Sequence, residues 1–375
     1  MKTRLFVAAA ALAVVLVVSC GGAKSAEIKI GAVSPLTGEA ATFGLSTKNG
    51  MELAVEEWNA NGGLLGKKIK LIVEDDKGDP AEGAAVFSKL IQQDKVVAIV
   101  GGITSRVALA GAPIAQAAKV PMISPTATNE KVTQVGDYIF RSCFIDPFQG
   151  TVAARFAYND LSIRKASVIF DFGNDYSKGL AETFKSSLET LGGQVVASEG
   201  YPSGATDFKA QLTKIVQVKP DCLYIPAYYN DVGLIAKQAR ELGYKGPLVG
   251  SDGWDSSELV KIAGKSIEGG YFTNHYSKDD TRPVVQSVVQ KYNTKYGAAP
   301  DALAVLAYDG MNIMLDAIKR AGKTSPEAVR EALKATDLAA VGGQIRFDEF
   351  RNPVKSVVII EIKDGQQVYK TTVNP

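Results

Sequence analysis

The stretch Ala98 to Asn129, AIVGGITSRVALAGAPIAQAAKVPMISPTATN, decides the fold. A buried apolar run from Val96 to Val100 leads into it, Gly101-Gly102 turns the chain, a helix opens near Ser105, and a second apolar run ends at Ser124-Pro125. In an open parallel sheet, ligands collect where strands end and helices begin, because unpaired N–H groups face outward there. Thr104-Ser105 stands at one such end, and Thr126 and Thr128 stand at the next. Hydroxyls beside bare backbone donors at a helix start suit a small anion such as a carboxylate. The plainer alternative makes Ser105 an N-cap and the two threonines loop hydroxyls.

Upstream of this stretch the same pattern repeats. Ile28 to Val33 reads as strand, Ser34 to Gly44 as a Pro/Gly-punctuated loop, Leu45 to Asn61 as helix, Ile69 to Val73 as strand and Pro80 to Gln93 as helix. The alternation implies parallel strands with right-handed crossovers. After Ile145-Asp146-Pro147 a second series begins: helix Phe148 to Asp160, strand Ala166 to Phe170, helix Tyr176 to Leu191, strand Val195 to Ser198, helix Phe208 to Val218, strand Cys222 to Ile225 and helix Asp231 to Leu242. Short strands at Pro247 to Gly250 and Gly270 to Thr273 complete it. The chain therefore reads as α/β, with two Rossmann-like lobes on parallel central sheets. Three amphipathic helices follow without partner strands, at Pro283 to Tyr296, Ala302 to Ala321 and Pro326 to Lys334, and must cover a sheet built earlier. Strand-like runs at Gly343 to Phe347, Val357 to Ile362 and Gln367 to Thr372 close the chain. Such a path crosses between lobes several times and makes a hinge. The expected division is 27–146 with 274–350 for the first lobe and 147–273 with 351–375 for the second.

The 375 residues suit two domains of common size, and 46% apolar with 22% charged residues is ordinary for a globular protein. Lys and Arg number 42 against 40 Asp and Glu, and removing Lys2 and Arg4 makes the two signs equal. No basic patch interleaved with aromatics exists, which argues against nucleic acid and against a charged membrane surface as partner. Lys2 and Arg4 precede an apolar run from Leu5 to Val18, too short to span a bilayer, so 1–19 reads as a secretory signal. Val17-Val18-Ser19-Cys20-Gly21 resembles a bacterial lipobox, with Cys20 lipidated and 20–26 as a tether; ordinary cleavage after Ser25 is the alternative. Any membrane attachment would then be through lipid alone.

Cys143 and Cys222 read as free, buried thiols, since a chain of this size needs no staple. The single histidine, His275, reads as structural or surface, and no metal-ligand spacing occurs. Gly264-Lys265-Ser266 lacks the upstream glycine of a phosphate loop, because Leu259 occupies that place. There is no GxSxG elbow, and the pairs Asp75-Asp76 and Asp279-Asp280 read as solvated rather than as acid/base carboxylates. Binding is the expectation, without cofactor, metal or catalysis.

Seven blocks now carry a resemblance: IGAVSPLTGEAATFG (Ile30 to Gly44), GGLLGKKIKLIVEDDKGDP (Gly62 to Pro80), GGITS (Gly101 to Ser105), VPMISPTAT (Val120 to Thr128), DYSKGLA (Asp175 to Ala181), KPDCLYIPAYYNDVGLIAKQARELG (Lys219 to Gly243) and GSDGW (Gly250 to Trp254). From Ile28 to about Asp364 the chain resembles the periplasmic branched-chain amino acid binding proteins, solute receptors of ABC importers with the type I periplasmic-binding fold. The resemblance implies a monomer that closes two lobes on an aliphatic L-amino acid and presents it to a membrane permease. It also implies the site: Ser105 and Thr128, with backbone groups of Thr126, for the ligand carboxylate; Asp252 for its ammonium; Tyr176 and Tyr228 closing from the second lobe, with Tyr229 a rival for Tyr228; and Phe43 beside the ligand side chain. Some members bridge the loop near Gly78 to the turn near Thr104 with a disulfide, and neither place holds cysteine here. Two other readings keep the fold: a receptor for an amide, urea or aromatic acid, which would not need Asp252, and a sensing module that reports to a signalling receptor.

Overall fold

The computed structural model describes residues 27–374, so the leader and Cys20 lie outside the described residues. The first sheet is built from β1 (Ile28–Ser34), β2 (Ile69–Asp75), β3 (Ala98–Gly101), β4 (Met122–Ser124) and β5 (Ile139–Arg141), with α1 (Ala41–Ala60), α2 (Pro80–Lys89), α3 (Ser105–Ala117) and the short α4 (Lys131–Gln134) between them. Its strand order is β2-β1-β3-β4-β5, all parallel. The chain then crosses to a second sheet through α5 (Asp146–Asn159), β6 (Lys165–Asp171), α6 (Asp175–Thr190), β7 (Gln194–Tyr201), α7 (Lys209–Gln217), β8 (Cys222–Ile225), α8 (Tyr229–Glu241), β9 (Leu248–Gly250), α9 (Ser257–Ala263) and β10 (Tyr271–Asn274). It crosses back for α10 (Pro283–Tyr296), α11 (Ala302–Ala321), α12 (Pro326–Lys334) and a small hairpin of β11 (Asp337–Ala340) and β12 (Gly343–Arg346). A third crossing delivers β13 (Val357–Lys363) and β14 (Gln366–Val373) to the second sheet, whose order is β14-β13-β10-β9-β8-β6-β7.

Both sheets reverse strand order beside their first strand. In the first, β1 sends the chain to β2 on one side and β3 on the other; in the second, β6 lies between β7 and β8. At such a switch the loops at the carboxyl ends diverge and leave a crevice. The second sheet is not wholly parallel as expected, because β13 runs antiparallel to β10 and β14 antiparallel to β13. Those strands arrive from the first lobe with no crossover helix, and an antiparallel pair needs only a tight turn.

α11 is buried around almost its whole circumference and packs its Met311, Met314 and Ile318 among Ile30, Val100 and Ile123 of the first sheet and Met51 and Ala54 of α1. Helices from the C-terminal third thus complete a core begun at Ile28. Among the described residues no helix is long and apolar enough to cross a membrane.

Two local expectations are corrected. α1 begins at Ala41, so Phe43 and Gly44 are helical rather than in a loop. Gly44 here serves close approach, not chain reversal: a Cβ on it would lie 1.9 Å from the Pro35 carbonyl oxygen. The second correction concerns the acidic pair. Asp75 accepts the Leu36 N–H at 2.8 Å and the Thr37 hydroxyl at 2.6 Å, pinning the loop that leads into α1. Asp76 is fully buried rather than solvated and accepts the Gly78 N–H at 2.7 Å; burial above all pushes its carboxyl up to about 7.

Candidate functional site

On the first lobe the site begins where β3 runs into α3. The Ala108 N–H is the first to bond into the helix, to the Thr104 carbonyl at 2.9 Å, so the N–H groups of Ser105, Arg106 and Val107 stand ahead of the ladder, and the Thr104 side chain does not cap them. The Thr126 hydroxyl donates to the Ile103 carbonyl at 2.6 Å, which reserves its side chain for the loop and leaves its backbone to the cavity. Ser105 Oγ accepts the Asn129 N–H at 3.3 Å. The hydroxyls of Thr104 and Thr128 are buried; neither makes a well-aligned hydrogen bond among the described residues, although that of Thr128 lies close enough to the Asp146 carboxyl to act on it. An orphaned buried polar group costs about 1–3 kcal/mol, so two of them beside a helix N-terminus describe a place for an anion.

The second lobe supplies the opposite sign. β9 ends at Gly250, where a Cβ would lie 2.0 Å from the Trp254 indole; the bare α-carbon lets the indole fold under the strand and donate to the Ile225 carbonyl at 2.9 Å. This buried anchor fixes the single turn Asp252–Trp254 and with it the Asp252 carboxylate. Asp252 Oδ1 accepts the Tyr176 hydroxyl at 2.7 Å and the Gln149 amide at 3.1 Å, while Oδ2 lies 3.0 Å from His275 Nε2. Tyr176 is placed by α6, whose N-cap Asn174 accepts the Tyr176 N–H at 3.1 Å, and its ring stacks on Tyr228 at 5.1 Å.

These walls face one another across a single small cavity between the two switch points. Ser105, Thr126, Thr128, Tyr176, Tyr228, Asp252 and Phe43 all line that one cavity, and Ile103, Leu303 and Leu306 give it an apolar side. The lobes touch around it. The Tyr229 hydroxyl donates to the Glu39 carbonyl at 2.8 Å, the Asn129 amide to the Asp175 carbonyl at 3.2 Å, and Phe43 packs edge-on to Tyr228 at 5.6 Å. Tyr229 therefore sits on the seam, while Tyr228 faces the cavity.

Sequence reasoning missed Ile103, Leu303 and Leu306 on the apolar side and, among the polar residues, Asn274, His275 and Gln149. His275, read as structural or surface, lines the cavity and contacts Asp252. Gln149 is fully buried behind it, bridging Asp252 to Asp146 Oδ1 at 2.9 Å and accepting the Thr273 hydroxyl at 2.9 Å. Asp146 Oδ2 has no partner among the described residues, and burial above all pushes its carboxyl up to about 7. The only signal for His275 was its place two residues beyond a predicted strand end; Gln149 had none.

A chain with two lobes, one cavity between their switch points, and a donor-rich wall facing a carboxylate has counterparts among known proteins. The family model for periplasmic binding proteins matches residues 27–367. The chain belongs to that family. Among curated relatives, this periplasmic binding protein is 33% identical to Leu/Ile/Val-binding protein homolog 2 of Brucella abortus, over 93% of the chain and 94% of the relative. It superposes with TM-score 0.90 on a leucine-binding protein, LivK, from Thermotoga maritima at 39% identity, covering 93% of this chain and 99% of that one. With LivJ of Streptococcus pneumoniae, a branched-chain amino acid transporter substrate-binding protein in complex with isoleucine, the TM-score is 0.89 at 35% identity, covering 93% and 100%. An ABC-transporter solute-binding protein from R. palustris in complex with benzoate matches with TM-score 0.85 at 26% identity, covering 93% and 97%. The free state of both cysteines accords with the sequence: Cys143 and Cys222 are buried and unpaired.

Proposed function

We propose that this periplasmic binding protein captures an aliphatic, branched-chain L-amino acid between its lobes and delivers it to the permease of an ABC importer. The observation that carries the reading is the pairing of opposite ends across one small cavity. Orphaned hydroxyls and bare N–H groups stand on one wall, a carboxylate on the other, and apolar side chains lie between them. An α-amino acid is a carboxylate and an ammonium on one carbon, with its side chain left for Phe43, Leu303 and Leu306. The ligand docks first on Ser105, Thr128 and the Thr126 backbone, and closure then brings Asp252, Tyr176 and Tyr228 to the ammonium. Removing water strengthens those charge contacts, so ligand binding favours the closed state. The two lobes, 27–146 with 274–350 and 147–273 with 351–375, work as one monomer in the periplasm, tethered through a lipid on Cys20.

Calorimetry of unfolded, ligand-stripped and refolded protein against L-amino acids, urea, short amides and benzoate tests this. Leucine, isoleucine or valine is expected to bind tightly, and Asp252→Ala to weaken it about tenfold or more, since a partly buried ion pair loses a partner. Unchanged affinity in that variant removes Asp252 as the ammonium partner. A second reading, an aromatic acid held by the anion end alone, is favoured by the benzoate-bound neighbour; benzoate binding indifferent to Asp252→Ala would establish it.

A further inference from the structure

Asp252 is the residue on which the amino acid reading turns, and its surroundings decide whether it has charge to offer. Oδ1 is taken by two neutral donors, Tyr176 and Gln149. Oδ2 faces His275 Nε2 at 3.0 Å, and a carboxylate only accepts, so Nε2 carries the hydrogen. The other ring nitrogen, Nδ1, is buried and without a partner among the described residues. In a neutral ring that nitrogen is a bare lone pair; in an imidazolium it is an orphaned N–H. The ring cannot turn away readily, because it stacks on Phe144 with centroids 3.5 Å apart, and only 2% of its side chain is exposed.

We propose that His275 is a positioning residue that sets the charge of the cleft: as a neutral Nε2–H donor it orients Asp252 and leaves its charge for a ligand ammonium, whereas a proton taken from solvent at Nδ1 neutralises Asp252 and expels the ligand. The inference rests on the amino acid reading of the site. The three chain crossings meet here, Phe144 from the first, His275 itself from the second, and buried Lys355 from the third. Lys355, which donates to the Ser142 carbonyl at 3.1 Å, opposes a second positive charge on the imidazole. Asp146 on α5 and Asp255 after the Asp252 turn are the other acids about Asp252, with the Tyr176 hydroxyl and the Cys143 thiol beside them. Burial is the largest influence on His275 and holds it below the usual histidine range, against the pull of Asp252.

The chain contains one histidine, so nitrogen-15 spectra of tag-free protein report this ring without assignment. The expected result is the Nε2–H tautomer at pH 7.5, with a pKa that falls further when leucine is added. By linkage, leucine affinity should drop by up to about tenfold per pH unit below that pKa. His275→Gln keeps an N–H donor and cannot take up the proton, so it should weaken leucine binding about threefold at pH 7.5 and lose the acid-side slope. His275→Leu, with no donor, should weaken it more. Asp146→Asn removes any slope near pH 7 and leaves the acid-side slope in place. An Nδ1–H tautomer, or an undiminished acid-side slope in His275→Gln, overturns the proposal while leaving amino acid binding intact. If no amino acid binds at any pH, the amino acid reading itself fails. The tautomer of the unliganded ring, and its response to Asp252→Asn, still decide whether His275 is a neutral donor to Asp252.

Discussion

A buried hydroxyl without a partner weakens the molecule that carries it, and Thr128 carries one at the mouth of α3. The penalty is removed when a ligand in the cavity, rather than the poorly aligned Asp146 carboxyl, accepts its hydrogen. Thr128→Val keeps the shape and deletes the hydroxyl, so it should lower leucine affinity about tenfold, the worth of one hydrogen bond to a charged group. The unfolding midpoint of the empty protein should stay the same or rise, and calorimetry with thermal unfolding separates the two effects. A fall in both would make Thr128 a structural residue. Residues of this kind were legible because strand ends and helix starts leave local marks: Ser105, Thr126 and Thr128 follow apolar runs directly. Gln149 left none and His275 little more than its place near a predicted strand end, since their meaning lies in contact with Asp252, 103 and 23 residues away in the chain. Asp76 was misread for a related reason, as the burial of an acid depends on what packs over it and not on its neighbours in sequence.

Among the elements, the turn after β9 shows how a fold positions one side chain. Gly250 and Trp254 interlock, and Asp252 stands between them on a turn of three residues. Gly250→Ala places a methyl against the indole, displaces Trp254 and should destabilise the protein by about 1–3 kcal/mol, the range for overpacking a core. Because the same indole fixes Asp252, ligand affinity should fall with it, which chemical denaturation and calorimetry on one preparation would record. Lost stability with full affinity would mean that Asp252 is held by its hydrogen bonds alone. Periodicity found most elements of this chain, yet it put Phe43 in a loop. The glycines and proline from Pro35 to Gly44 look like chain breakers, and only the contact between Gly44 and Pro35 reveals a helix docked tightly on its own entry loop.

For the molecule as a whole, affinity includes the balance between separated and closed lobes. The Tyr229 hydroxyl reaches the Glu39 carbonyl across the seam without facing the cavity, so Tyr229→Phe should weaken leucine binding about fivefold, by a single hydrogen bond's worth of closure. Small-angle scattering should show a larger radius at subsaturating ligand and the same radius at saturation. An unaltered affinity would place the seam outside the closing equilibrium. The two-lobed plan was readable from strand and helix alternation, whereas the antiparallel β13 and β14 were not, since pairing direction depends on where a strand enters the sheet.

The packing of α11 on the first sheet also sets a schedule for synthesis. β5 ends at Arg141 and α11 begins at Ala302, so at a ribosomal rate of roughly 5–20 residues per second the emerging first lobe waits roughly ten to thirty seconds for its central helix. During that interval one apolar face of the sheet is open and the lobe cannot lock. A polypeptide that must be threaded through a membrane before it folds gains from such a delay. One cut short before Ala302 never acquires the cover at all, and would offer that face to other chains instead.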